Sequence, residues 1–175
     1  MNTGTIACLT VWAVAWGASA ADLSQLTHRE RSFTIRLNGS VAQVTPLFGP
    51  VREREWSPEW LPQFVHPKSG EQIEGAVFTT ETHGQHRIWV LTHFDVEGGR
   101  VEYVVVAPGL TANQIKIQVV ADGVDRSEAT ITYRHTALAT EGNRQVERLD
   151  EKWAEEQRSH WETAINRVLA GSRQK

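Results

Sequence analysis

Three side chains in this sequence combine a mostly apolar body with a proton that can be donated or accepted: Tyr103, Tyr133 and His135. Each lies in a segment where polar and apolar residues alternate, on the same side as the apolar ones. In an apolar pocket such groups orient a ligand, and they can act as general acids or bases. They are therefore candidates for catalysis as well as for binding. The alternative is that each is buried and bonded to a neighbouring carbonyl group.

The histidines do not form a metal-binding pattern. His83, His86 and His93 are the closest cluster, but His83 and His86 fall on a predicted hairpin tip, and no Asp or Glu stands at ligand spacing in the same turn. The sequence also lacks a GxSxG elbow, a P-loop, a GxGxxG loop and an HExxH helix. We expect no metal site and no cofactor.

Tryptophan supplies most of the remaining candidates. Trp56 and Trp60 stand four residues apart among prolines, where they would either gate the mouth of a cavity or anchor short helices on a sheet. Trp89 lies in a predicted strand, and Trp153 and Trp161 lie in a predicted helix. The candidate ligand-binding residues are Trp56, Trp60, Phe78, Trp89, Tyr103, Tyr133, His135 and Trp153.

The elements that must position these residues can be read from their periodicity. Ser32–Leu37 alternates polar and apolar residues, which predicts a half-buried strand. Residues 40–44 open a short helix that Pro46 ends. Five of the six prolines lie between Pro46 and Pro67, so that stretch holds only short helical turns and bends.

A series of strands follows, separated by short turns. The segments 75–81, 87–94, 101–107, 114–120 and 128–135 are rich in β-formers, and short connections between them require antiparallel pairing. Alternation directs one set of side chains toward the interior: Val101, Tyr103, Val105, Ile115, Ile117, Tyr133 and His135. The segment 87–94 is ambiguous, because both of its faces are apolar.

The last forty residues change to a helical period, with apolar positions mainly three, four or eight residues apart. The pattern predicts one helix of about 28 residues, about 42 Å long, with Gly171 as its C-cap. Strands followed by this helix predict an α+β layer structure in which the helix covers the sheet.

This order of elements, together with several short motifs, resembles the START-like superfamily, also called SRPBCC or polyketide-cyclase-like. The matching pieces are Phe48–Trp60, Gly75–Thr80, Trp89-Val90 and Thr136–Leu138 leading into Glu141–Asn143, and the resemblance covers Thr27–Leu169. It implies a helix-grip fold: a curved antiparallel sheet of about seven strands wraps a long C-terminal helix, with two short helices after the first strand and a cavity between sheet and helix. Members mostly bind hydrophobic molecules such as lipids, sterols, polyketides or plant hormones. Some are cyclases or related enzymes, and one branch assists a chaperone.

The first twenty residues predict a signal peptide. Residues 1–20 carry no charged side chain, Ile6–Trp16 is an apolar stretch too short to span a bilayer, and Ala18-Ser19-Ala20 fits a cleavage site after Ala20. The predicted mature domain, 21–175, then contains no cysteine, because Cys8 is removed. We expect a bacterial protein that is periplasmic or secreted. Because the segment lacks Lys and Arg, a short apolar core helix is the alternative.

Charge and composition exclude some classes of function. The net charge of −3 argues against a nucleic-acid-binding protein, and no segment predicts stable membrane insertion. The first hypothesis is that an exported protein binds a small hydrophobic ligand, lipid, polyketide-like or aromatic, between sheet and helix. The second is a cyclase, dehydratase or lyase-like enzyme, and the third is a protein-interaction module. The oligomeric state, ligand and pathway stay open.

Overall fold

A computed structural model describes residues 23–82 and 84–172. The predicted signal peptide with its cleavage site, Cys8 and His83 lie outside the described residues.

The centre of the structure is one antiparallel sheet of seven strands, in the order β1-β7-β6-β5-β4-β3-β2. Consecutive strands from β2 to β7 are neighbours, so this part is a meander. Strand β1 pairs with β7, so β1 and β2 are the two edge strands. The strands are β1 (His28–Leu37), β2 (Gln63–His66), β3 (Val77–Thr82), β4 (Gln85–Asp95), β5 (Arg100–Ala107), β6 (Thr111–Ala121) and β7 (Ser127–Ala137).

Short helices follow β1, as predicted. Helix α1 (Val41–Val44) runs into a 3-10 turn at Thr45–Phe48 that contains Pro46, and a second 3-10 turn covers Glu53–Glu55. The periodicity did not predict β2. It is a four-residue edge strand with three exposed residues, so it shows no apolar alternation.

The predicted interior face of the meander is confirmed. Tyr103 and Tyr133 are buried and His135 is partly buried, whereas the polar residues between them on the strands face outward. The structure also shows which face of β4 points inward: Trp89 and Leu91 are buried and Ile88 is exposed. An irregularity between Leu91 and His93 shifts the register there. This shift explains why no single alternation describes the whole strand.

The prediction of one helix of about 28 residues is wrong, because two helices form: α2 (Thr140–Glu147) and α3 (Glu151–Ser172). Asp150 starts the second helix, since its Oδ1 accepts the backbone N–H of Trp153 at 2.8 Å. The prediction of Gly171 as a C-cap is also wrong, because it lies within α3.

Helix α3 packs along the edge strand β1. Ile165 and Leu169 are buried, and Trp161 contacts Phe33 with ring centroids 5.8 Å apart. Farther along the same edge, Asn166 accepts the backbone N–H of Asn38 at 2.8 Å and donates to the carbonyl of Arg36 at 2.9 Å.

The architecture is α+β and has the helix-grip arrangement expected from the resemblance. None of the helices in the described part of the chain is both long and apolar enough to cross a membrane.

Candidate functional site

A cleft of about 460 Å³ lies between the inner face of the sheet and the two C-terminal helices. Strands β4 to β7 form its floor, and α2, α3 and the joint between them form its wall. Its lining residues are Gln85, Arg87, Trp89, Val105, Asn113, Ile115, Tyr133, His135, Gln145, Arg148, Leu149, Trp153 and Gln157.

The floor of the cleft changes from apolar to polar along the strands. Cross-strand pairing aligns inward residues into rows, one being Leu91, Tyr103, Ile115 and Tyr133, and the next Trp89, Val105, Asn113 and His135. On β4 the following inward residues are Arg87 and Gln85. The cleft therefore presents an aromatic and aliphatic part beside a part with a guanidinium and amides.

Arg87 is the charged group of the floor. Its guanidinium donates a hydrogen bond to Oε1 of Gln85 at 3.2 Å, and it forms no ion pair with any carboxylate in the described part of the chain. Burial lowers the pKa of this guanidinium, because the charged form loses hydration that no carboxylate replaces.

His135 is uncharged at neutral pH. Its pKa is lowered to about 4, first by burial and then by the nearby charge of Arg87. The imidazole forms no hydrogen bond with a described residue, so its ring nitrogens can accept a hydrogen bond from a ligand and donate one to it.

Tyr133 brings a hydroxyl to the same floor. Burial raises the pKa of this hydroxyl, with a smaller contribution from the charge of Glu53. The ring stands edge-on to Trp153 of the wall, with centroids 5.0 Å apart. No described residue accepts its proton, so the hydroxyl is a free donor inside the cleft.

Asn113 also lacks a full set of partners. Its Nδ2 donates to Oγ1 of Thr111 at 3.2 Å, whereas Oδ1 is buried and has no hydrogen-bond partner among the described residues. Asn113 pairs directly across the strands with His135. Two adjacent floor residues therefore have unused hydrogen-bonding capacity.

Tyr103 is placed differently from Tyr133. Its hydroxyl donates to the carbonyl of Phe48 at 2.8 Å, and the residue does not line the cleft. Burial, and then the charge of Glu53, raises the pKa of this hydroxyl. This is the carbonyl-bonded arrangement that the sequence left open as the alternative.

Trp56 and Trp60 are also placed beside the cleft rather than in its lining. Trp56 is buried and its Nε1 donates to the carbonyl of Leu47 at 2.7 Å, while Nε1 of Trp60 donates to the carbonyl of Pro50 at 2.8 Å. Both rings thus hold the proline-rich segment against the interior. Phe78 is fully buried and stacks on Trp89, with centroids 5.7 Å apart.

The structure thus brings together four of the candidate binding residues in the cleft lining: Trp89, Tyr133, His135 and Trp153. The sequence reasoning missed the polar lining residues Gln85, Arg87, Asn113, Gln145, Arg148 and Gln157. The alternation in the sequence could have indicated two of them. Arg87 lies two residues before Trp89, and Asn113 lies two residues before Ile115, so each falls on the inward face of its strand.

Glu53 is a further residue that the sequence did not single out. It is only partly exposed, and burial raises the pKa of its carboxyl to about 8. It forms no ion pair with a described residue, and its charge acts on both Tyr103 and Tyr133. In the sequence it stands in the charged run 52–55, where nothing separates a buried acid from an exposed one.

The described residues contain no group of three or more His, Cys, Asp or Glu side chains that could hold a metal ion. His83, one of the three clustered histidines in the sequence, lies outside them.

No family model and no curated protein sequence matches the chain. Solved structures do. Norcoclaurine synthase from Thalictrum flavum, in complex with dopamine and hydroxybenzaldehyde, is similar with a TM-score of 0.63 and 11% identity, over 96% of this chain and 98% of that chain. A START superfamily protein from Mycobacterium smegmatis has a TM-score of 0.59 and 16% identity, over 82% and 99%. Major latex-like protein 151 from Panax ginseng has 0.53 and 13%, over 83% and 97%.

These likenesses confirm that the fold is START-like. The three proteins differ in name, and one of them is named as a synthase. The similarity at this identity concerns the fold, so the function has to be argued from the cleft.

Proposed function

We propose that this protein binds a small molecule with a hydrophobic or aromatic body in the cleft between the sheet and the C-terminal helices. The observation that carries the proposal is the composition of the lining. Two tryptophans and three aliphatic side chains accompany the hydroxyl of Tyr133, the imidazole of His135 and the amide oxygen of Asn113, and none of these three groups has a hydrogen-bond partner among the described residues. Apolar walls with a few convergent polar groups are typical of ligand sites.

The size of the cleft supports a small ligand. Its volume of about 460 Å³ lies within the range of roughly 300–1,000 Å³ found for small-molecule sites. Burying an aromatic body there contributes about 25 cal/mol per Å² of apolar surface before the costs of association. Trp89 belongs to the floor and Trp153 to the wall, so both the floor and the wall offer an aromatic surface to a ligand.

The test uses the neutral fluorescent probe N-phenyl-1-naphthylamine. We expect one probe per protein, with quenching of tryptophan fluorescence. Gln157→Trp places a large side chain in the cleft from α3 and should weaken binding at least about tenfold. Ser159→Trp is the matched control, because Ser159 is exposed on the same helix.

Equal binding by both variants, or no binding by the wild type, would contradict the proposal. Organic extraction of protein purified from its natural source, followed by mass spectrometry, gives the second measurement. It should release a compound that the Gln157→Trp variant does not retain.

A second candidate function is acid–base catalysis of the cyclase, dehydratase or lyase kind. It is favoured by geometry: the hydroxyl-bearing ring of Tyr133 and the imidazole of His135 are 5.8 Å apart between centroids, line the same cleft, and form no side-chain hydrogen bond with a described residue. The similarity in fold to a synthase that binds dopamine and hydroxybenzaldehyde suggests aromatic amines and aldehydes as first test substrates.

Condensation of these two compounds is measured by chromatography and mass spectrometry. Catalysis by the cleft predicts product from the wild type and a loss of about a hundredfold or more in His135→Ala, with probe binding retained. Tyr103→Phe is the control, because Tyr103 does not line the cleft. Turnover that is unchanged in His135→Ala would remove this residue from the mechanism.

We further propose that the protein is exported, on the support of the uncharged, apolar N-terminal segment and Ala18-Ser19-Ala20. N-terminal sequencing of protein from the periplasmic fraction of an expressing bacterium should start at Ala21. Ala20→Phe should prevent cleavage, because signal peptidase requires a small residue there. An uncleaved wild-type chain in the cytoplasm would contradict export.

A further inference from the structure

The charged groups that line the cleft are of one sign. Arg87 and Arg148 contribute two guanidinium groups, and no Asp or Glu is among the lining residues. An adjoining recess shares Arg148 and adds Arg144 and Glu141. The cleft is therefore positively charged in a chain whose net charge is −3.

Arg87 carries the strongest part of this argument. A partly buried guanidinium loses hydration, and proteins normally compensate it with a carboxylate. Here the partner of Arg87 in the described part of the chain is the neutral amide of Gln85. Arg144 and Arg148 likewise form no ion pair with a described residue. A guanidinium without a carboxylate partner is suited to an oxyanion, because it can donate two parallel hydrogen bonds to it.

A second observation comes from the neighbouring floor residues. Asn113 is 9% exposed, lines the cleft and has a buried amide oxygen without a partner among the described residues; as an acceptor, this oxygen suits a hydroxyl or amide N–H of a ligand. It pairs across the strands with His135, and His135 is close enough to Arg87 to be affected by its charge. Among these three residues, the groups that can donate to an oxyanion are therefore the guanidinium of Arg87 and the imidazole of His135, while Trp153, Leu149 and Ile115 supply apolar surface to the same cleft.

We propose that the ligand is an amphipathic organic acid, whose carboxylate or similar oxyanion binds Arg87 and can accept the N–H of the neutral His135 imidazole, while its apolar body lies against Trp89, Tyr133 and Trp153. The inference rests on the proposed binding function and names the class of ligand. Arg148 at the mouth of the cleft adds a second, exposed positive charge.

The experiment compares 2-naphthoate with its neutral analogue 2-naphthamide as competitors against N-phenyl-1-naphthylamine. The two competitors have the same ring system and differ in charge. We expect wild-type protein to prefer the naphthoate by about 10- to 100-fold, the range for one charge-assisted contact. Arg87→Gln should abolish the preference, and the affinity of the same variant for the neutral probe is measured so that the two competitors are compared within one protein. Arg167→Gln removes the same charge from an exposed position on α3 and should keep the preference.

Two further variants separate a binding role of Arg87 from a structural one. Arg87→Lys keeps the charge without the planar fork and should show an intermediate preference. Arg148→Gln changes an exposed position and should reduce the preference by a smaller factor than Arg87→Gln. It therefore still tests the charge of the cleft if Arg87→Gln does not fold. In nuclear magnetic resonance titrations, naphthoate should raise the pKa of His135 toward its ordinary value, because it neutralises Arg87, and naphthamide should not.

The outcomes distinguish the two proposals. If the neutral probe binds but the two competitors displace it equally, the inference is wrong and the binding function stands. If Arg87→Gln weakens both competitors by the same factor, Arg87 is not the contact for the acid. If the neutral probe does not bind at all, the proposed function fails and the inference falls with it.

Discussion

At the scale of single residues, Glu53 and His135 are both kept uncharged at neutral pH by the same cause. Burial raises the pKa of the acid to about 8 and lowers the pKa of the base to about 4. Their effects on stability have opposite pH dependences, because the unfolded chain releases a proton from Glu53 and takes one up on His135 as each group returns to water. The native state is therefore penalised by Glu53 on the alkaline side and by His135 on the acid side.

Glu53→Gln should flatten the alkaline side of the stability profile. The ordinary pKa of the carboxyl is 4.5 and the folded value is about 8, so stability is complete below 4.5 and is lost as the pH rises toward 8. The wild type should lose more than about 1 kcal/mol relative to the variant over this window. Urea unfolding at several pH values measures it. Glu59→Gln, at an exposed site, should follow the wild type; parallel profiles for all three proteins would contradict the burial of Glu53.

His135→Gln should flatten the acid side. The ordinary pKa of the imidazole is 6.5 and the folded value is about 4, so stability is lost as the pH falls from 6.5 toward 4. The variant lacks this loss, and nuclear magnetic resonance should show no protonation of His135 above about pH 5 in the wild type. His160→Gln, at an exposed position, is the control. A wild-type His135 titrating at 6.5 would refute the prediction.

The alternation of polar and apolar residues predicted which side chains point inward but not which hydrogen bonds they form. Tyr103 and Tyr133 occupy the same row of the sheet and look alike in sequence, yet only one finds a carbonyl group. That difference depends on Phe48, 55 residues away in the chain, whose carbonyl points toward Tyr103. Such a contact is set by tertiary packing, and local periodicity contains no information about it.

At the scale of elements, side chains of α3 complete the open edge of β1. Glu162 accepts the backbone N–H of Arg36 at 2.9 Å, and Asn166 bonds both the N–H of Asn38 and the carbonyl of Arg36. These groups would otherwise be an unpaired strand edge available to another chain. The helix therefore has a polar role at the sheet edge in addition to its apolar packing.

Asn166→Ala should destabilise the protein by about 1 to 2 kcal/mol, because two backbone groups lose their partners and only water replaces them. Thermal unfolding and light scattering measure the stability and any edge-to-edge association. Arg167→Ala changes the adjacent exposed position and should be within about 0.5 kcal/mol of the wild type. If the two variants had the same stability, the hydrogen bonds of Asn166 to the edge of β1 would contribute nothing to the stability of the protein.

Gly142→Ala should disturb the packing of α2. A Cβ at this position would collide with the carbonyl oxygen of Leu110, in the turn between β5 and β6, and backbone atoms cannot turn aside as a side chain can. We expect a loss of about 1 to 3 kcal/mol. At Gly171 in α3 an added Cβ meets no described residue within 4 Å, so Gly171→Ala should be neutral or stabilising. The pair is compared by chemical denaturation; a Gly142→Ala variant as stable as Gly171→Ala would show that α2 moves freely.

The elements were predictable where their pattern is strong and local. The five strands from β3 to β7 follow from alternation and turns, whereas β2 is too short and exposed to show a pattern. The division between α2 and α3 depends on the side chain of Asp150 bonding its own chain three residues on. An Asp within an otherwise helical pattern is compatible with an exposed helix surface as well as with a cap, so the pattern alone did not decide.

At the scale of the whole molecule, the presence of a cavity between sheet and helices followed from the fold, and its polarity did not. The charged residues of the lining come from β4 and from α2 or its end, and only folding brings Arg87 and Arg148 to the same space. A protein that binds an organic acid there gains stability from it, because the unfolded chain has no such site.

A ligand of this kind should therefore raise the melting temperature. At a free concentration of about 100 times its dissociation constant, binding adds about 2.7 kcal/mol, which corresponds to roughly 5–11 °C for a chain of this size. Differential scanning fluorimetry with 2-naphthoate measures the shift. Gln157→Trp should reduce it strongly and Ser159→Trp should not; a shift that is the same in both would locate binding elsewhere.

The hydrogen bonds of α3 to β1 lie in its second half, at Glu162 and Asn166, whereas Trp153 and Gln157 in its first half form the wall of the cleft. The first half contacts β1 through the Arg31–Glu151 ion pair at 3.6 Å, in which Glu151 is exposed, and through the ring of Trp153 against Phe33. A ligand that widened the cleft at α3 would therefore strain these contacts and leave the hydrogen bonds at Glu162 and Asn166 in place. Amide hydrogen exchange should then be slowest near residue 165 and faster toward residue 152.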